Sequence, residues 1–258
     1  MSQSLFLRTA LAAARAADVV IRKYYKSGLA VHTKPDASPV TQADVESEAA
    51  IKAVLAAEFP DHGFYGEELG QQALDAEYVW LIDPIDGTKA FVRGYPVFSA
   101  QIALMHRGEW VLGVSSAPCW NMETGELAYA EQGQGAYLNG QRIQVSTVEM
   151  LEQATLSTGN IASLAQSPRW NKMGGLIPRL HRIRGYGDFL HYHWLASGKL
   201  DAVIESDISI LDIAALSVIV REAGGDFTDL EGAPLTLKTT SVLATNGRLR
   251  PLLTQALN

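Results

Sequence analysis

Apolar residues recur at helical spacing near the start of the chain, and Ala10, Ala13, Ala17, Val20 and Tyr24 predict one amphipathic first helix. Arg8 and Arg15 interrupt the Ala- and Leu-rich LFLRTALAAARAA and leave no apolar stretch of signal-peptide length. Gly28 ends the pattern, a strand-like LAVHTK follows, and the prolines between Lys34 and Thr41 predict a loop of fixed shape. Thr41 then caps a second helix, TQADVESEAAIKAVLAAEF, which stops before Pro60. Asp44 falls in its first turn, where a negative charge is favoured whatever else it does. Next, Gly66 stands beside Glu67 and Glu68 in a short segment whose plainest reading is a solvated loop.

The chain is organised around Tyr78 to Gly94, YVWLIDPIDGTKAFVRG. Trp80-Leu81-Ile82 read as a short buried strand ending in a turn at Asp83-Pro84-Ile85. Asp86 is an N-cap candidate for a following helix, and Gly87 would let backbone amides approach a ligand. Free amides at a helix start make an anion site. Beyond it, VFSAQIALMHRG, EWVLGVSSAP and ELAYAEQGQGAYLNG alternate as strands, with Asn139-Gly140 a strong hairpin signal. They predict a mixed or antiparallel sheet.

The second half is built differently. ATLSTGN predicts a strand, SPRWNKMGGLIPRL a helix broken by Gly174-Gly175 and Pro178, and HRIRGYGDFLHYHWLASGKLDAVIE a strand, turn, helix and strand. SILDIAALSVIVREAGG reads as a helix with Asp212 near its start and Gly224-Gly225 as its stop. DFTDLEG and SVLATN form a last strand pair before a short C-terminal helix. The sequence shows no repeat and no flexible linker, only this change of pattern. It divides into an N-terminal α+β half, residues 1–145, and a C-terminal α/β half, residues 146–258.

Composition narrows the function. At 258 residues and 47% hydrophobic, the chain can bury a sizeable core. Its net charge of −7, without a basic stripe, argues against a nucleic-acid partner. No apolar run reaches bilayer-spanning length, so no membrane partner is expected. A single cysteine, Cys119, cannot form an internal disulfide; it suits a reducing cytoplasm and reads as structural. Trp110, Trp120, Trp170 and Trp194 are scattered, with core packing as their default.

Glu67, Asp83, Asp86 and Asp212 each fall at a predicted strand end or helix start. Oxygen donors without Cys or His suit Mg²⁺ or Mn²⁺ rather than zinc. Carboxylates beside an anion site repel phosphate unless cations lie between them. Such ions would neutralise the phosphate, activate a water and stabilise the leaving oxygen during phosphoryl hydrolysis. The chain has no P-loop, GxSxG elbow or HExxH, and Gly185-Tyr186-Gly187 lacks the third glycine of a dinucleotide loop. His191 and His193, two apart on a helix, face differently and make a poor metal pair.

Four pieces resemble the inositol monophosphatase superfamily of metal-dependent, lithium-sensitive phosphatases. They are Ser38-Pro39-Val40-Thr41-Gln42-Ala43-Asp44, Gly66-Glu67-Glu68, Asp83-Pro84-Ile85-Asp86-Gly87-Thr88, and Leu211-Asp212-Ile213-Ala214-Ala215 with Glu222-Ala223-Gly224-Gly225. Their order and spacing cover about Lys34 to Gly225. The resemblance implies an α+β fold, a layered αβαβα sandwich of the inositol monophosphatase and fructose-1,6-bisphosphatase type, with the site between its halves. It implies roughly two or three Mg²⁺ ions held by Glu67, Asp83, the Ile85 carbonyl, Asp86 and Asp212, with Asp83 bridging two of them. Glu67 and Thr88 would activate the attacking water, Asp44 would support the Thr88 hydroxyl, and Asp86 with the Gly87 and Thr88 amides would meet the phosphate. A homodimer is the family's common state. One departure is Leu211, which stands where the family usually has Trp.

Arg184-Gly185-Tyr186-Gly187-Asp188-Phe189, followed by Leu211 to Leu216, resembles the histidinol-phosphatase branch. That branch implies hydrolysis of L-histidinol phosphate to L-histidinol and phosphate in histidine biosynthesis. The substrate's amine and imidazole welcome carboxylates, so Asp188, Glu205 and Asp212 are candidate contacts. Glu205 does not discriminate, because inositol phosphatases place a hydroxyl-binding acid there. Asp188 could equally be a helix N-cap, and Arg184 a substrate contact, a dimer-interface residue or a surface arginine. Alternatives are an inositol-1-phosphate phosphatase, a broad sugar- or nucleotide-phosphate monoesterase, and a regulatory metal- and phosphate-binding module. The last has no need of a water-activating pair.

Overall fold

Small side chains let the first two helices lie close together on one face of a sheet. In the computed structural model, which describes residues 3–28, 31–33, 39–121 and 124–257, α1 (Leu5–Tyr24) buries Ala10, Ala13 and Ala17 completely. Val20 and Tyr24 are half-buried at its edge. The short strands β1 (Val31–Thr33) and β2 (Pro39–Thr41) pair antiparallel, and α2 (Gln42–Glu58) follows with Thr41 as its N-cap. Leu29, Ala30 and the loop expected over Lys34 to Ser38 lie outside the described residues.

Next come β3 (Gly63–Gly66), β4 (Gly70–Gln72), β5 (Tyr78–Asp86), α3 (Thr88–Val92), β6 (Ser99–His106), β7 (Glu109–Ala117), β8 (Glu126–Glu131), β9 (Gly135–Leu138) and β10 (Gln141–Ile143). The strands form one eight-stranded sheet in the order β10-β9-β8-β7-β6-β5-β3-β4. It is mixed: β3 and β5 run parallel and the other neighbours antiparallel. Asn139 (φ 48°) and Gly140 (φ 78°) make the tight β9–β10 turn with the positive φ values such a hairpin needs.

The second half adds β11 (Thr155–Thr158), α4 (Ile161–Gln166), α5 (Trp170–Leu176), β12 (Arg182–Arg184), α6 (Asp188–Ala196), β13 (Ala202–Ser206), α7 (Ile210–Glu222), β14 (Asp226–Thr228), β15 (Ser241–Thr245) and α8 (Arg250–Leu257). Its five-stranded sheet runs β12-β11-β13-β15-β14.

Period-two alternation along the strands separates three large cores. Trp80 and Ile82 of β5 face α1 and α2, joining Ala14, Ile51 and Leu55. Val79 and Leu81 face the other way, onto Tyr192 and Leu195 of α6 and Ile213 and Leu216 of α7. Those two helices also pack on Val203, Val242 and Ala244 of the second sheet. Leu156, Ala202 and Ile204 meet α4, α5 and α8 on that sheet's far face through Leu164, Met173 and Leu253. The layers are therefore helix, sheet, helix, sheet, helix, the α+β αβαβα sandwich expected. Each fully buried large side chain contributes about 1.5–3 kcal/mol.

Four local expectations fail. The strand does not stop at Asp83; β5 continues through Pro84 to Asp86, with a register shift against β6 between Asp83 and Asp86. A bulge can hold a proline that lacks a ladder donor. Asp86 is consequently not a helix cap, and Gly87 (φ 90°) takes the N-cap position of the five-residue α3 with no side-chain cap. Gly174-Gly175 do not break their helix, because burial of Met173 and Leu176 outweighs the poor propensity of glycine; Pro178 sits in the 3₁₀ turn that follows. Trp170 is not core but 38% exposed, whereas Trp110 is buried. Cys119 is buried, as expected of a structural residue.

Candidate active site

The irregular end of β5 turns Asp83, Ile85 and Asp86 toward one cavity. Parallel pairing sets Gly66 of β3 opposite Ile82, and the Glu67 amide donates to the Ile82 carbonyl at 3.2 Å, so Glu67 enters beside Asp83. Asp212 arrives from the first turn of α7. Carboxylate oxygens of Asp83, Asp86 and Asp212 lie within 4.8 Å of one another. Glu67 lines the same cavity of about 940 Å³ outside that trio, with Ile85, Gly87 and Thr88.

Asp83 and Asp86 are only 2% and 9% exposed. Burial pushes both carboxyls well above the usual range, and the charges of Glu67, Asp212 and Asp86 raise Asp83 further. Burial likewise pushes Asp212 up to about 7, against the stabilising Ser209 amide. One oxygen of Asp86, Oδ2, is buried without a hydrogen-bond partner among the described residues. Like charges packed this way ionise together only beside positive charge, and the oxygen-only donor set fits a hard divalent cation.

Thr88 opens α3 with its hydroxyl 3.0 Å from the Ile85 carbonyl and 3.3 Å from Asp44 Oδ1. Asp44 is fully buried, and its other oxygen accepts from the Thr41 amide at 2.8 Å and the Thr41 hydroxyl at 2.7 Å. Burial raises the Asp44 carboxyl too, opposed by those bonds. Gly87 has no substitute: its φ is 90°, and an added Cβ would lie 2.8 Å from the Val97 carbonyl oxygen.

A smaller recess of about 70 Å³ shares Asp86, Asp188 and Asp212 with the cavity and adds Tyr192 and Glu205. Asp188 is the first residue of α6, with Gly187 in the N-cap position, so it is not the cap. Burial pushes Asp188 up to about 6, tempered by His191 and reinforced by Glu205. Glu205 Oε2 accepts from the Tyr192 hydroxyl at 2.7 Å. His191 Nε2 is 3.2 Å from the same oxygen but off the hydrogen-bonding line. Arg184 is elsewhere: it donates to the Ile183 carbonyl and borders a separate apolar pocket with Ile161 and Trp170. His193 is wholly buried between Glu126 and Ser115, at 2.8 Å from each, and burial lowers its pKa. Leu211 is buried in the central core.

Sequence reasoning missed Tyr192 as the support of Glu205. Its signal was faint, one hydroxyl between two histidines in the apolar run FLHYHWLA.

Fold and site together define a phosphatase of the layered αβαβα class. The model of the inositol monophosphatase family matches residues 2–258, and the chain belongs to that family. It is 38% identical over 258 residues to a histidinol-phosphatase of Mycobacterium tuberculosis, covering 98% of this chain and 97% of that one. A histidinol-phosphatase of Streptomyces coelicolor is 37% identical over 262 residues, with 98% and 96% covered. Among solved structures, the extragenic suppressor protein suhB of Bartonella henselae superposes with a TM-score of 0.90 at 32% identity, covering 99% of each chain.

Proposed function

We propose that this chain is a cytoplasmic, homodimeric, Mg²⁺-dependent phosphomonoesterase that hydrolyses L-histidinol phosphate to L-histidinol and phosphate. The observation that carries the substrate is the recess beside the acid trio, where Asp188 and Glu205 present carboxylates to whatever the phosphate is attached to. An ammonium and an imidazole suit that wall. Asp83, Asp86, Asp212, Glu67 and the Ile85 carbonyl would hold the ions, which supply charge neutralisation and a more acidic water. Glu67 and Thr88 orient the attacking water, and the Thr88 hydroxyl takes its direction from Asp44 and the Ile85 carbonyl. Asp86 and the Gly87 and Thr88 amides flank the phosphate.

Glu205 also supports a second reading. A carboxylate steadied by a tyrosine would bind a sugar-like hydroxyl, as in inositol-1-phosphate. Phosphate release from both esters, side by side in Mg²⁺, separates the two: a large kcat/KM preference for histidinol phosphate is expected. Comparable rates would leave the phosphatase reading standing and sink the substrate. A binding module without turnover would release no phosphate from any ester, with or without Glu67→Gln.

A further inference from the structure

Glu48 lies outside the cavity, on α2, one helical turn beyond Asp44. It is 1% exposed, an unusual place for a carboxylate, and no cation pairs with it among the described residues. Its two oxygens accept from the Glu68 amide at 2.7 Å and the Leu69 amide at 3.0 Å. Residues 67–69 form the three-residue turn joining β3 to β4. The Glu67 amide is bonded to the Ile82 carbonyl. All three amides of the turn are thus tied, one to the strand that carries Asp83 and two to Glu48.

Gly66 completes the device. A Cβ there would meet Glu48 Oε1 at 1.7 Å and Glu48 Cδ at 2.5 Å, and the third near atom is Glu48 Oε2. Its φ is not positive, so alanine suits the backbone, and the three nearest atoms it would meet all belong to the Glu48 carboxylate. Gly66 is therefore the space into which Glu48 reaches.

We infer that Glu48 is a positioning residue for Glu67: a buried carboxylate that fixes the turn from behind and sets where the Glu67 side chain enters the cavity. This rests on the role given to Glu67 under Proposed function. Glutamine at position 48 offers one acceptor for two amides, and alanine offers none. In Glu48→Gln and Glu48→Ala, Mg²⁺ affinity measured by titration calorimetry should fall about tenfold. Turnover should fall with it while KM for the ester holds.

Gly66→Ala should copy these losses. Gly66→Ala added to Glu48→Ala should cost nothing more, because the clashing carboxylate is gone. Ser47→Ala, a buried neighbour with an unpartnered hydroxyl, is the control and should match wild type. Wild-type Mg²⁺ affinity and turnover in Glu48→Gln and Gly66→Ala, with only the melting temperature lowered, would reduce Glu48 to a structural residue. Additive losses in the double variant would likewise overturn the pairing. If Glu48→Ala fails to fold, Glu48→Gln and Gly66→Ala still decide. A wild type that neither binds Mg²⁺ nor releases phosphate would instead fell the proposed function itself.

Discussion

Gly113, which does not line the cavity, should control it. This residue of β7 faces α7, and an added Cβ would lie 2.2 Å from the Ala215 carbonyl oxygen and 2.9 Å from Ala215 Cα. Real Cβ atoms essentially never approach below 3.0 Å, so Gly113→Ala must move helix or strand by about 0.8 Å or more. Both neighbours are backbone, and no side chain can swing away. Asp212 rides on α7 while Asp83 and Asp86 ride on β5, two strands from β7 in the sheet, so the wedge separates carboxylates now within 4.8 Å. Mg²⁺ tolerates deviations of only about 0.2 Å in its ligand distances. We expect Gly113→Ala to lose about 1–3 kcal/mol of stability. Its melting temperature should drop by roughly 2–4 °C for each kcal/mol. Mg²⁺ affinity should fall at least about tenfold, or about 1.4 kcal/mol. Thermal unfolding in chelator and Mg²⁺ calorimetry read the two separately. A variant that melts lower yet binds Mg²⁺ as tightly as wild type would refute the coupling of α7 packing to the site.

Three further outcomes follow from single groups. Asp83→Asn should retain less than about a tenth of wild-type kcat, since the ions proposed at the acid trio would lose a neutralising charge; greater retention would remove Asp83 from the proposed metal site. Asp188→Asn should weaken kcat/KM for histidinol phosphate about tenfold and spare a small neutral ester, and equal losses on both would make Asp188 structural. Asp18 of α1 accepts from the Ser116 hydroxyl at 2.8 Å, yet burial pushes it up to about 6 from 3.8. The folded protein then binds the extra proton, so stability is lost as pH rises from about 4 to 6 and the loss is complete above that. Asp18→Asn should accordingly gain about 2 kcal/mol in urea unfolding at pH 7.5 and nothing at pH 4. A gain of equal size at both pH values would rule out ionisation as its cause.

What could be read from the sequence was whatever repeats along one element. Ala10, Ala13 and Ala17 mark the buried stripe of α1, and the alternation in VFSAQIALMHRG is the two-faced burial of β6. Asp83, Asp86 and Asp212 stood out because strand ends and helix starts deliver side chains to clefts. Less legible were features set by another element. Pro84 argued for a turn, but the bulge against β6 keeps β5 extended to Asp86. The glycine pair in α5 argued for a break, but burial of Met173 and Leu176 overrode it. Arg184 sits beside the GYGD segment in sequence, yet β12 is an edge strand and leaves its side chain on the outer face. Tyr192 and Glu205 are 13 residues apart, and only the packing of α6 on β13 brings them together.

The plain reading of Asp44 and Asp212 as first-turn helix acids was correct, and it does not compete with a role in the site. Both occupy the third helical position of a capping box, Asp44 behind Thr41 and Asp212 behind Ser209. In each, Oδ2 takes the N-cap amide, at 2.8 Å for Thr41 and 2.9 Å for Ser209. That bond fixes the side-chain torsions and aims the other oxygen. Asp44 Oδ1 points at the Thr88 hydroxyl, and the carboxylate of Asp212 at the acid trio. A cap commonly contributes about 1 kcal/mol, which offsets part of the cost of holding a carboxylate among its own kind. Glu48 follows the same logic without a cap, with two turn amides in place of one helix amide. Asp44, Asp83 and Asp212 thus hold backbone amides before any ligand arrives. Replacing Ser209 by alanine removes the hydroxyl that caps the Leu211 amide but keeps the Ser209 amide that holds Asp212, so it should weaken the start of α7 and leave the aim of the carboxylate intact.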